Sequence, residues 1–170
     1  MLKFINFILL VVLMFNVFGT QVAFGAGESE TVLLKGFVES VPQAIYGSWR
    51  VVSKRVDTDS PAIFKSEGID LWNLSLENDV INLSNPFSGA SAKIEIKNVD
   101  GNTVTFTKKG KYGNKILTDT VTINIQADKF EGSDRLKLDT ISDVSGKIIK
   151  SEMAIYSVKG EKISGNSILD

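Results

Sequence analysis

Residues 90–108 read ASAKIEIKNVDGNTVTFTK, and their alternation decides the fold. Ala92, Ile94 and Ile96 alternate with Ser91, Lys93, Glu95 and Lys97; beyond Asp100-Gly101-Asn102, Val104 and Phe106 alternate with Thr103, Thr105 and Thr107. Successive side chains of a strand point to opposite faces, so each run is a half-buried strand with one face on a core and one in water. Asp, Gly and Asn between them tolerate the positive φ of a tight hairpin.

The same period of two extends in both directions, rich in Val, Ile, Thr and Phe, and helical periodicity is nearly absent. Strands are expected over residues 47–55, 69–76, 80–84, 90–98, 103–108, 115–126, 129–140 and 147–158. Leu117, Val121, Ile123 and Ile125 continue the inward row, then Phe130, Leu136 and Leu138, then Ile149, Met153 and Ile155. Eight consecutive strands with one apolar face each cover that face and remove their edges by closing on themselves. The expected fold is therefore all-β, an antiparallel up-and-down eight-stranded β-barrel, with a β-sandwich as the alternative. Residues 47–160 form the barrel in this reading, 26–46 a segment that plugs one end, and 161–170 a C-terminal tail.

Connection lengths alternate. Tight turns fall at 76–79, 99–102 and 127–128, and longer connections at 56–68, 85–89, 109–114 and 141–146. In a meander alternate connections share one end, so the long loops form one rim. Phe64, Phe87 and Tyr112 lie in those loops, where aromatics suit an apolar-ligand mouth or a protein-binding surface, although each can also simply anchor its own loop. Trp72 alternates with Asp70, Leu74 and Leu76 and could face the cavity, the solvent or the N-terminal segment. It completes the candidate ligand-binding set of Phe64, Trp72, Phe87 and Tyr112.

Working outward, Lys3 followed by the apolar stretch Phe4–Phe18 and by Ala23-Phe24-Gly25 has the pattern of a signal peptide, with cleavage expected after Gly25 and an uncleaved membrane anchor as the rival. About 145 residues would remain, one domain's worth of chain. The expected location is exported, periplasmic or secreted, with no stable membrane insertion after cleavage. With 19 basic and 20 acidic residues and no long run of one sign, a nucleic-acid partner is not expected. Cys and His are both absent, which removes disulfides, Cys-His and Ser-His-Asp catalysis, and metal or haem sites built on those residues. Carboxylate chemistry survives that exclusion. Asp70, Asp119, Asp134 and Glu152 lie within strands, and Asp119 and Asp134 share parity with the inward rows on adjacent strands. Such a pair would have a raised pKa or a polar partner, in a catalytic role or in a hydrogen-bonded interior. No enzymatic activity, metal or cofactor is expected. Asn73-Leu74-Ser75 and Asn82-Leu83-Ser84 fit the glycosylation acceptor pattern and equally a plain strand alternation.

Gly47-Ser48-Trp49 at the head of the first strand, followed by the eight-strand meander, resembles the lipocalin family and its calycin relatives over residues 45–158. The resemblance implies that Gly47 and Trp49 form the barrel floor, that the opposite rim admits a small apolar ligand, and that a cation from the end of the last strand lies over the tryptophan. Lipocalins use Arg there; the final strand and its exit as read offer Lys150 and Lys159. Exported bacterial inhibitors of metalloproteases are similar too, with an N-terminal trunk as their inhibitory segment. The expected function is an exported, non-enzymatic binding protein for a small apolar or amphipathic molecule or lipid. The alternative is a cell-envelope interaction module, or an inhibitor-like barrel with a filled core.

Overall fold

The computed structural model describes residues 38–86 and 89–165. The chain is an all-β, eight-stranded antiparallel meander closed into a barrel. Its strands are β1 (Gly47–Thr58), β2 (Glu67–Glu77), β3 (Val80–Asn85), β4 (Ala90–Asp100), β5 (Thr103–Tyr112), β6 (Lys115–Gln126), β7 (Lys129–Ile141) and β8 (Ile148–Ser164). Each pairs with its sequence neighbour, and β1 also pairs with β8 from Ser48↔Ser164 to Thr58↔Ala154. Closure gives every backbone edge a partner, which an open sheet of this size could not.

The floor lies at the end with the tight turns, where Asn78, Asp79 and Ala127 hold positive φ. Gly47 shows why the first strand begins with glycine. Its φ is 119°, and a Cβ there would collide with the backbone of Ser164, the residue that closes the barrel beside it. Next to it Trp49 is fully buried, pairs across the sheets with Trp72 and Lys162, and donates its indole N–H to Ile45 O at 2.8 Å. Ile45 closes a 3-10 turn (Gln43–Ile45) that lies with Val41 and Ala44 in the core. Above Trp49 sits Phe130, 5.1 Å away between ring centroids, and Trp72 stacks on Phe130 at 5.8 Å while meeting Phe106 edge-on at 6.4 Å. Gly160 makes room for that cluster, since a Cβ there would land in the Phe130 ring.

Three expectations need correction. The β5–β6 connection is a two-residue turn, Gly113-Asn114, because β5 continues to Tyr112; Tyr112 ends a strand and is 57% exposed, rather than lying in a long loop. The last strand does not stop at 158 but runs to Ser164, so much of the supposed tail is barrel wall. And β8 turns the opposite face inward: Glu152, Ala154, Tyr156 and Val158 are buried, while Ile149 and Met153 are exposed. The register with β7 fixes that face, because Ala154 and Tyr156 stand opposite Leu136 and Asp134, which point inward.

Candidate functional site

The barrel interior divides into two halves. In the floor half, inward side chains such as Val51, Leu74, Val104, Phe106, Val121 and Ile123 are at most 2% exposed. In the rim half the inward positions are mixed: Arg55, Asp70, Lys108, Leu117, Asp134 and Leu136 are half-buried, while Asp119, Leu138, Ala154 and Tyr156 are buried. The interior is apolar at the floor and polar, with several half-buried positions, toward the rim.

The polar groups of the rim half come from six strands that run round the closed barrel from β5 through β8 to β1 and β2. Lys108 follows Val104 and Phe106 on the inward face of β5 and stands opposite Asp119 of β6, to which its Nζ bonds at 2.8 Å. It also lies 5.6 Å above the Trp72 ring. Burial opposes the Lys108 charge, but Asp119, Asp134 and Asp70 outweigh it and hold the ammonium protonated above its usual range. Asp119 is 4% exposed. Its carboxyl lies beside that of Asp134 on the neighbouring strand β7. Burial first, and then the Asp119 charge, push the Asp134 carboxyl well above the usual carboxylate range, with Lys108 opposing. Asp119 Oδ1 and Asp134 Oδ1 are buried without a hydrogen-bond partner. Asp70 on β2 is separately satisfied: it accepts from Leu71 N at 2.8 Å, from Trp72 Nε1 at 3.2 Å and from Asn85 Nδ2.

A cover lies over this half. The β1–β2 loop, residues 59–66, folds inward so that Phe64 is 4% exposed within the core cluster. Its carbonyls are gathered by two inward-facing side chains: Arg55 Nη1 donates to Phe64 O and to Pro61 O at 3.3 Å, and Tyr156 Oη donates to Lys65 O at 2.8 Å. Ser60 Oγ bonds Glu152 Oε1 at 2.9 Å, and Met153 N bonds Asp59 Oδ1 at 2.8 Å. Burial raises the Tyr156 hydroxyl pKa, with Asp134 adding and Arg55 opposing. Asp134 and Tyr156 are cross-strand partners, so the carboxyl pair and the loop anchor are in direct succession.

The residues picked from sequence thus separate. Trp72 is inside, at the base of the polar cluster. Phe64 caps the cluster from the loop and is buried, not offered at an exposed rim. Tyr112 stands exposed at the end of β5, and Phe87 lies outside the described residues. Asp119 and Asp134 do come together, and Gly47 and Trp49 lie at the floor. Sequence reasoning missed Lys108, Arg55 and Tyr156, although one inward step from Phe106 reaches Lys108 and two from Val51 reach Arg55. It also missed the cation over Trp49: neither Lys150 nor Lys159 but Lys162, whose Nζ sits 4.8 Å above the ring and donates to Ala44 O at 2.5 Å. Lys150 instead pairs with Glu152 and Lys159 with Glu131.

Among the described residues no group of three or more metal-ligating side chains gathers. Compared with known proteins, the chain matches no family model, no curated protein and no solved structure.

Proposed function

We propose that this chain is a non-enzymatic binding barrel of lipocalin-like design, exported from the cell, which takes one small amphipathic molecule into the rim half of its interior. The observation that carries this reading is the contrast between the two halves: below Trp72 the inward side chains are apolar and pack to near-zero exposure, whereas above it charged groups share the interior and several inward positions stay half-buried. A solid floor leaves no deep apolar well for a long lipid tail. The ligand would therefore be short, its apolar part against Leu117, Leu136 and Trp72 and its polar part against Lys108, Asp119 and Asp134. Phe64 and the loop it belongs to would have to lift for exchange, which makes binding and release slow. The Gly47-Ser48-Trp49 floor with a cation stacked on its tryptophan supports the lipocalin likeness.

The filled floor and the buried Phe64 also favour a second reading, a barrel packed by its own side chains whose outer surface docks on an envelope protein. Native mass spectrometry of the purified protein tests the choice. A small molecule carried with the protein and lost on unfolding supports the binding barrel; a bare mass, with no change in tryptophan fluorescence across a panel of short amphiphiles, overturns it in favour of the second.

A further inference from the structure

The carboxyl pair in the rim half points to the kind of polar group the ligand carries. Two carboxyls on adjacent strands, Asp119 on β6 and Asp134 on β7, each leave Oδ1 buried without a hydrogen-bond partner. The oxygen that Asp119 leaves beyond its Lys108 bond, Oδ1, has no partner although the residue is 4% exposed and points into the barrel. A buried carboxylate pair needs positive charge, and the proton is the smallest cation that supplies it. A compact ammonium carries the same charge with three donors, enough to bond both carboxyls at once. A divalent metal fits less well, since Lys108 already occupies Asp119 Oδ2 and would repel it.

We propose that the barrel binds a short primary amine with an apolar body, whose ammonium bonds the unpartnered carboxyl oxygens of Asp119 and Asp134. This rests on the binding-barrel reading and names its ligand class. The exchange balances: the ligand enters as an ammonium, Asp134 passes from carboxylic acid to carboxylate, one proton leaves to solvent, and the net charge of the interior is unchanged. The charged and titratable groups facing Asp134 are Asp119 on β6, Lys108 on β5 and Tyr156 on β8, with Arg55 on β1 and Asp70 on β2 completing the ring. Lys108 stays on Asp119 Oδ2 throughout. Leu117 and Leu136, inward neighbours of the pair on the same strands, would receive the apolar body beneath Phe64.

Titration calorimetry and tryptophan fluorescence with three probes of equal chain length, hexylamine, hexan-1-ol and hexanoate, test the idea on the whole mature protein. Hexylamine is expected to bind at least about tenfold more tightly than hexan-1-ol, as a charge-assisted contact in a desolvated site should. In buffers of different ionisation enthalpy it should release about one proton per molecule bound below the pH at which Asp134 ionises. Over that range its affinity should rise about tenfold per pH unit, then level off. In Asp134→Asn, with folding verified by urea unfolding, the proton release and the pH slope should disappear. Equal binding of amine and alcohol, a preference for hexanoate, or amine binding without proton release overturns the proposal while leaving a binding barrel in place. If none of the three probes alters the tryptophan signal or produces binding heat, the binding-barrel reading itself falls.

Discussion

Replacing Asp134 by Asn should stabilise the protein increasingly as pH rises, because the wild-type barrel stores a proton there. In an unfolded chain an aspartate ionises near pH ~3.9, whereas burial and the Asp119 charge keep the folded Asp134 protonated well above that. Between the two values the folded state holds a proton that the unfolded state has lost. Wild-type stability contributed by this group is thus fully present at low pH and falls by about 1.4 kcal/mol for each pH unit until the folded carboxyl ionises. Asn keeps the shape of the neutral acid and carries no charge. At low pH the two proteins should therefore differ by no more than about 1 kcal/mol. Asp139 and Glu152 are held below the usual range, the first chiefly by its Ser151 hydrogen bond and the second by Lys150, and they pull stability the other way. They do so equally in both proteins and cancel in the difference. Urea unfolding followed by tryptophan fluorescence, repeated from about pH 4 to about pH 8 at fixed ionic strength, reads the gap. A gap that widens in favour of Asp134→Asn and then levels off is expected; one that is flat with pH, or moves toward the wild type, refutes the account of a protonated Asp134.

Three further outcomes are expected. Lys162→Met loses the contact with the Trp49 ring and the bond to Ala44 O, for about 1–2 kcal/mol in urea unfolding, whereas Lys162→Arg should retain most of it; equal losses would mean that the cation does not matter. Gly47→Ala forces a side chain into positive φ and against Ser164, costing about 2–4 kcal/mol, and a melting temperature within a degree of wild type would contradict the close approach. Tyr156→Phe removes the bond to Lys65 O and should raise amide exchange in residues 59–66 severalfold while leaving the floor strands protected; unchanged exchange there would show that Tyr156 does not anchor the loop.

The barrel was legible because three of its seven hairpins announce themselves locally: the alternation around Ile94 and Phe106 and the turn residues Asn78, Asp79 and Gly101 are all short-range signals. What escaped was set by partners distant in sequence. On β8 the apolar residues Ile149, Met153 and Ile155 suggested a core face, yet the wall they belong to lines a polar half of the interior, so Glu152 and Tyr156 point in and the apolar row points out. Hydrophobic alternation identifies a strand but names its inner face only where the interior is apolar. The run Glu161-Lys162-Ile163 reads as a tail, and it is strand because the first residues of β1 need a second neighbour. Asp119 and Asp134 were visible as a pair through shared parity, while Lys108 was hidden in the run Lys108-Lys109, which looks like solvated chain. Phe64 gave no sign of its burial, since the side chains that draw its loop inward, Arg55 and Tyr156, come from opposite ends of the barrel sequence.

The pairing of Ser48 with Ser164 also sets an order of events. Every other seam of the barrel joins strands that follow one another along the chain and can zip as soon as they are made, but the last seam cannot form until nearly the whole polypeptide exists. Until then β1 and β8 are bare edges, and the tryptophan beside Gly47 has neither its cation nor half of its wall. Closure should be the slow step of folding, and under the export proposed above that delay would keep the chain threadable until its final strand has arrived.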